Sequence, residues 1–297
     1  MKKLMVFGCN GFVGTSLCTR AKLLGWEICG ADMGTESVIS GMEYLACDIR
    51  DRGAVLQAVR TAKPSYIVDV AAIADIDAAE KNRELAYAVN VTGAENIALA
   101  SRETGAKFLF FSSDAVFDGV TGGYTEFSPK AFVNFYGQTK SEAEDRVLAA
   151  CTNAVVIRIS LVLGFSPAKG NSTLDAMARR FAAGEAVSCS TSDIRTPIDI
   201  STLCSCVLEL YDHPFTGVIH LGSTESANRY EIACKAAQLL GYPESLVVET
   251  ETNAPGKAPR HKKGIISVEL AKSLLNTPLC SFEDTLKNAV ASRAAVK

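Results

Sequence analysis

Residues 3–14 read Lys3-Leu4-Met5-Val6-Phe7-Gly8-Cys9-Asn10-Gly11-Phe12-Val13-Gly14, an apolar strand running straight into three glycines. A strand this short and this apolar suits a sheet covered on both faces. Gly8 permits a tight turn off the strand, Gly11 lets the backbone approach a pyrophosphate, and Gly14 lets the next helix pack closely on the sheet. The helix predicted over 12–24 offers free N–H groups and a positive dipole end to an anion. Asn10, Phe12 and Val13 complete this candidate phosphate-binding turn. The spacing is G-x-x-G-x-x-G rather than G-x-G-x-x-G, so the context has to decide.

The context comes from the next strand. Trp26 to Asp32 is again apolar and ends in a carboxylate 18 positions beyond Gly14. A carboxylate there accepts hydrogen bonds from ribose hydroxyls and repels a 2′-phosphate. Met33 to Ser37 contain no Arg or Lys to welcome that phosphate. The pattern predicts NAD(H) rather than NADP(H) as cofactor.

Strands are expected near 3–7, 26–31, 43–46, 66–70, 108–112 and 154–159. Helices are expected near 12–24, 51–62, 82–104, 137–150 and 174–183. This alternation predicts an α/β fold, a Rossmann-type doubly wound parallel sheet. In Glu84 to Thr104 the residues Leu85, Ala88, Val89, Ala94, Ile97, Ala98 and Leu99 form the buried stripe, and Gly105 stops the helix. The stretches 164–172, 188–198 and 252–264 are richer in Pro, Gly, Ser and Thr and read as loops around a ligand. We expect an NAD-binding unit over 1–160. A less regular substrate lobe follows over 161–297, with segments near 190–225 returning to the sheet.

Composition narrows the function classes. With 297 residues and 48% hydrophobic residues, the chain can bury a sizeable core. A net charge of −3 carries no nucleic-acid footprint. No apolar run approaches a membrane span, and the apolar start is too short for a signal peptide. The ten cysteines include no C-x-x-C pair and mostly lie in apolar segments. They read as reduced thiols in a cytoplasmic protein without a metal.

The chemistry is expected where the fifth strand ends, in Phe111-Ser112-Ser113-Asp114, because open α/β sheets bind ligands beyond the carboxyl ends of their strands. Ser112 and Ser113 are both expected to face the site. Tyr136 and Lys140 stand four apart at a helix start and project from one face. An ammonium beside a phenol favours the phenolate, so the pair predicts a lowered Tyr136 pKa and a general acid–base. Ser113 would orient the reacting oxygen.

Taken in order, these residues resemble the extended short-chain dehydrogenases/reductases, and within them the dTDP-4-dehydrorhamnose reductase family of nucleotide-sugar ketoreductases. Cys47-Asp48-Ile49 resembles the segment that meets the adenine ring. Ala71-Ala72 through Ile76-Asp77-Ala78-Ala79-Glu80 resembles N-A-A-x-T-x-V-D-x-A-E, and Ala86 to Asn90 resembles A-Y-x-x-N. Ser112 to Gly119 resembles S-T-D-Y-V-F-D-G, and Asp193 to Pro197 resembles a late D-Q-x-x-x-P region. The resemblance implies Ser113, Tyr136 and Lys140 as the catalytic set. It implies Asp48, Ile49, Ala71, Ala72 and Asn90 as further cofactor contacts. The implied reaction is reduction of a keto group on a small molecule, a sugar nucleotide carrying a 4-keto-6-deoxy sugar. An epimerase holding NAD tightly, or a non-catalytic regulatory subunit of the same fold, would keep the same residues.

Departures fall on the substrate side. The family's Asn in N-A-A is Asp69 and its Thr is Ala74, and the expected R-P appears as Pro259-Arg260. Asp114, Arg158, Asn171, Arg195 and Arg260 are the candidate substrate contacts, because a planar guanidinium matches a diphosphate. Apolar helix faces are compatible with a homodimer, while the sequence leaves the oligomeric state open.

Overall fold

A computed structural model describes residues 2–168, 172–251 and 256–293. Seven strands form one parallel sheet in the spatial order Gly217–Leu221, Ala154–Ile159, Lys107–Ser113, Tyr66–Asp69, Lys3–Phe7, Glu27–Asp32, Glu43–Ala46. The chain winds outward in one direction from Lys3–Phe7 and then restarts on its other side at Tyr66–Asp69. A crevice opens at that reversal, beyond the strand ends.

Helices cover both faces. On one face Leu4, Val6, Val68 and Leu109 pack with Leu17, Leu203 and Val207; on the other Met5, Phe7, Ile67, Phe108 and Phe110 pack with Val55, Ile97, Ala143 and Val147. Alternate residues of one strand thus enter different cores, which is why these strands read as unbroken apolar runs.

The predicted helix over 82–104 is interrupted. It runs as Arg83–Tyr87, a wide π-helical turn Ala88–Gly93, and Ala94–Thr104. A Cβ on Gly93 would lie 2.6 Å from Ile49 side-chain atoms, so the widened turn comes close to the 47–49 segment. The same turn rotates Asn90 inward, where it bonds both backbone groups of Ile73 and the Thr139 hydroxyl. Periodicity alone does not reveal this inserted residue, because the apolar stripe continues across it.

The second half is more regular than its composition suggests. Within 188–198, read as a loop, Ile194–Arg195 lies between Ala227–Asn228 and Lys263–Gly264, and Pro197–Asp199 pairs with Leu161–Leu163. These strands are only two or three residues long, too short for a period to show. Helix Ile200–Asp212 leads into Gly217–Leu221 at the edge of the main sheet. Helices Thr173–Ala182, Arg229–Leu240 and Phe282–Ala291 enclose a smaller core around Leu174, Ile232 and Leu286.

Candidate active site

The crevice holds a cavity of about 500 Å³ lined by Gly8, Asn10, Gly11, Asp32, Ile49, Ala71 and Ala72 among others. The three glycines do different work. Gly8 has φ +82°, and a Cβ on it would lie 2.7 Å from the Ala71 nitrogen. A Cβ on Gly14 would overlap the Gly8 carbonyl. Both glycines are therefore required by the protein's own packing. A Cβ on Gly11 would meet only the Gly8 carbonyl, at 3.4 Å. Packing inside the protein leaves room there for a ligand to approach.

Helix Phe12–Leu23 begins at Gly11 with no side-chain cap and no acidic residue in its first turn. Its Phe12, Val13 and Gly14 end is a natural seat for an anion. Asp32 accepts from the Asn10 N–H at 3.0 Å and from the Met33 N–H at 2.8 Å, tying the glycine turn to the end of the second strand. These residues fit a pyrophosphate and an adjoining ribose.

Arg50 also lines the cavity and grips the Asp48 carboxylate, with Nε at 2.9 Å and 3.0 Å from its two oxygens. This bidentate pair holds the Asp48 carboxyl below its ordinary range. Counting basic residues in 33–37 missed this cation, because it reaches the cleft from beyond the third strand. Asn90 sits beneath the cleft rather than on its lining, and is 1% exposed.

At the end of strand Lys107–Ser113, successive side chains part company, as they do in any strand. Ser113 donates to Asp114 Oδ1 at 3.0 Å and accepts from the Ala115 N–H at 3.1 Å, and it lies close enough to the Tyr136 phenol to favour its ionised form. Ser112 turns the other way and donates to Glu144 at 2.5 Å. The two serines, both expected to face the site, thus point to different partners, and Ser112 is spent on Glu144.

Helix Phe135–Ala150 starts two residues before the predicted 137, because Asn134 caps it by accepting from the Gly137 N–H at 2.9 Å. A Cβ on Gly137 would overlap the Ala115 carbonyl, so the first helical turn lies directly against the Ser113–Val116 corner. That approach brings Tyr136 to Ser113. Lys140, one turn on and 3% exposed, donates to the Phe111 carbonyl at 2.8 Å. Burial pushes the Tyr136 phenol up to about 12, Ser113 opposes this, and Asp114 adds to it. The expected lowering by Lys140 is therefore corrected: the ammonium is drawn to the Phe111 carbonyl, and burial dominates the phenol.

The candidate substrate residues divide by geometry. Asp114 accepts from Ser160 at 2.6 Å, with His261 Nε2 at 3.0 Å and Arg195 Nε at 3.7 Å from the same oxygen. Burial opposes its ionisation, but His261, Arg195 and Ser160 hold the carboxyl below its ordinary range. Arg195 is 7% exposed and spends its donors on Asp193 and on the Ile194, His261 and Lys262 carbonyls. Arg158 is 3% exposed and locked to Glu144 by bonds of 2.8 Å and 2.7 Å. The reading of Arg158 and Arg195 as diphosphate ligands is thus corrected: both guanidiniums are consumed inside the protein. Arg260 is 22% exposed, pairs with Asp77 at 2.8 Å, and remains accessible. Asn171 lies outside the described residues.

His261 is a site residue that sequence reasoning missed. Within the 252–264 stretch, read from composition only as a loop, His261 is 4% exposed against Asp114. Only the tertiary fold brings those two residues together.

Comparison with known proteins agrees with this geometry. The profile of the RmlD substrate binding domain matches residues 1–294. Methionine adenosyltransferase 2 subunit beta of Danio rerio is 28% identical, covering 97% of this chain and 89% of that protein. dTDP-4-dehydrorhamnose reductase of Mycolicibacterium smegmatis is 28% identical, covering 98% of this chain and 86% of that protein. The crystal structure of dTDP-4-dehydrorhamnose reductase from Bacillus anthracis in complex with NADP superposes with a TM-score of 0.87 at 28% identity, covering 97% of this chain and 99% of that one. With the family profile matching residues 1–294, the chain belongs to the RmlD substrate binding domain family.

Proposed function

We propose that this protein reduces the keto group of a nucleotide-linked 4-keto-6-deoxy sugar, with NAD(H) as cofactor and Tyr136 as general acid. What supports the proposal is the packing of the first turn of helix Phe135–Ala150 against the Ser113–Val116 corner, which sets Tyr136 close to Ser113, in a fold with a dinucleotide-sized cleft. The cofactor, when bound, supplies the hydride. Gly8, Gly11 and the start of helix Phe12–Leu23 seat its pyrophosphate, and Asp32 accepts from its adenosine ribose. Ser113 holds the substrate oxygen. Tyr136 gives that oxygen a proton, and a phenol kept protonated by burial is in the right state to do so. Lys140 orients the nicotinamide ribose, and Arg260 meets the substrate diphosphate. All ten cysteines are free thiols, which suits a reducing compartment such as the cytoplasm.

A second reading is a non-catalytic subunit, favoured by the Danio rerio relative being itself named a subunit of another enzyme. One experiment separates them. Purified protein is assayed with NADH and dTDP-4-dehydrorhamnose, alongside Tyr136→Phe. Turnover that falls by a hundredfold to ten-thousandfold in Tyr136→Phe, with NADH binding retained, supports the reductase. Equal rates in both proteins would refute Tyr136 as the acid. No turnover by wild type, with dinucleotide still bound, would favour the subunit.

A further inference from the structure

Asp69 is a carboxylate that the mechanism above does not use. It ends strand Tyr66–Asp69 and is 1% exposed. The register sets it between Phe7 and Phe110, whose rings enter the same core as Ile67. One oxygen accepts from the Ala71 N–H at 2.9 Å; the other has no hydrogen-bond partner. Lys140 arrives on this face from the opposite side: its Nζ lies 4.6 Å from the centre of the Phe110 ring and bonds the Phe111 carbonyl. A buried carboxylate with a free oxygen and a buried ammonium thus occupy neighbouring positions across one strand. Each would be costly to bury alone.

The other charges around Lys140 are committed elsewhere. Glu144, one turn along the helix, is held by Arg158 and Ser112. Lys130 bonds the Ser141 carbonyl and Asp145. Asp114 is engaged by Ser160, and Tyr136 by Ser113.

We propose that Asp69 is the positioning counter-charge of Lys140: it keeps the buried amine protonated at working pH, so that an ammonium is present to grip the cofactor ribose. The proposal rests on the placement of Lys140 in the site described above. Burial pushes Lys140 down to about 8, while Asp69 and then Glu144 oppose that fall. Burial pushes Asp69 up to about 7, and Lys140 opposes that rise. Without the carboxylate, only burial and Glu144 would act on the amine.

The test reads the amine directly. Lysine side chains are isotope-labelled and titrated by NMR in the full-length protein, and the Lys140 signal is identified by its loss in Lys140→Met. In Asp69→Asn the Lys140 midpoint should fall by roughly one to three pH units, the shift expected when an opposite charge close by is removed. Asp69→Ser provides the same test should the amide fail to fold. Affinity for NADH, followed over the same range, should weaken at correspondingly lower pH in the variant. An unchanged Lys140 midpoint in a folded variant would overturn the proposal. Because the titration needs no substrate, it stands or falls separately from the reductase reading, which ketone turnover tests.

Discussion

Arg158→Ala offers the sharpest test of how the site is supported. Arg158 binds Glu144 through two bonds of 2.8 Å and 2.7 Å, with the side chains 4% and 2% exposed. Its guanidinium also lies 5.1 Å from the centre of the Phe117 ring. Truncation leaves the Glu144 carboxylate buried with only the Ser112 hydroxyl at 2.5 Å and the Lys130 ammonium at 3.7 Å. Breaking a buried pair on one side costs about 3–5 kcal/mol, and these two remaining partners favour the lower end. At roughly 2–4 °C per kcal/mol for a domain of this general size, the midpoint of thermal unfolding should fall by about 6–12 °C. Thermal and urea unfolding, with Glu144→Gln and the double variant completing a mutant cycle, provide the assay. The double variant should recover part of the loss, because no charge is then stranded. A variant of normal stability with a selectively raised KM for a nucleotide sugar would refute this reasoning and return Arg158 to the substrate.

Four other outcomes follow from particular contacts. Asp32→Ala should reduce the preference for NADH over NADPH by about tenfold, roughly 1.4 kcal/mol. It should also weaken both cofactors somewhat, because Asp32 anchors the Asn10 and Met33 N–H groups; binding titrations check this, and equal wild-type affinities would remove the NAD(H) assignment. Gly11→Ala should fold normally but lose dinucleotide affinity. Gly14→Ala should lose stability by about 1–3 kcal/mol in denaturant unfolding, because its new Cβ overlaps the Gly8 carbonyl. Burial and the Arg158 charge push His220 down to about 3, from the ordinary 6.5. The unfolded chain therefore binds a proton in that interval that the folded chain refuses, and stability should decline as pH falls below about 6.5 and continue falling toward 3. His220→Gln should flatten the dependence, measured by urea unfolding across that range.

The sequence by itself determined the sheet and where its strands end. Apolar runs ending in Gly8, Asp32 and Ser113 carry strand identity locally, because a strand buried on both faces must be apolar throughout. Tyr136 and Lys140 show their common face through helical spacing alone. What the tertiary structure decided is which charged groups remain available. An arginine in the sequence looks the same whether it meets a ligand or an internal carboxylate. Arg158 is spent on Glu144, and Arg195 on the His261 and Lys262 carbonyls besides its neighbour Asp193, because segments separated in sequence converge there. The state of Tyr136 was also beyond the sequence. Its spacing from Lys140 predicts attraction between phenolate and ammonium, whereas desolvation of the phenol depends on everything packed around it and pushes the pKa the other way. His261 beside Asp114, Arg50 on the cleft and Asp69 beneath Lys140 are likewise products of long-range packing. Periodicity and spacing report neighbours along one element, and these contacts join elements that only the folded chain brings together.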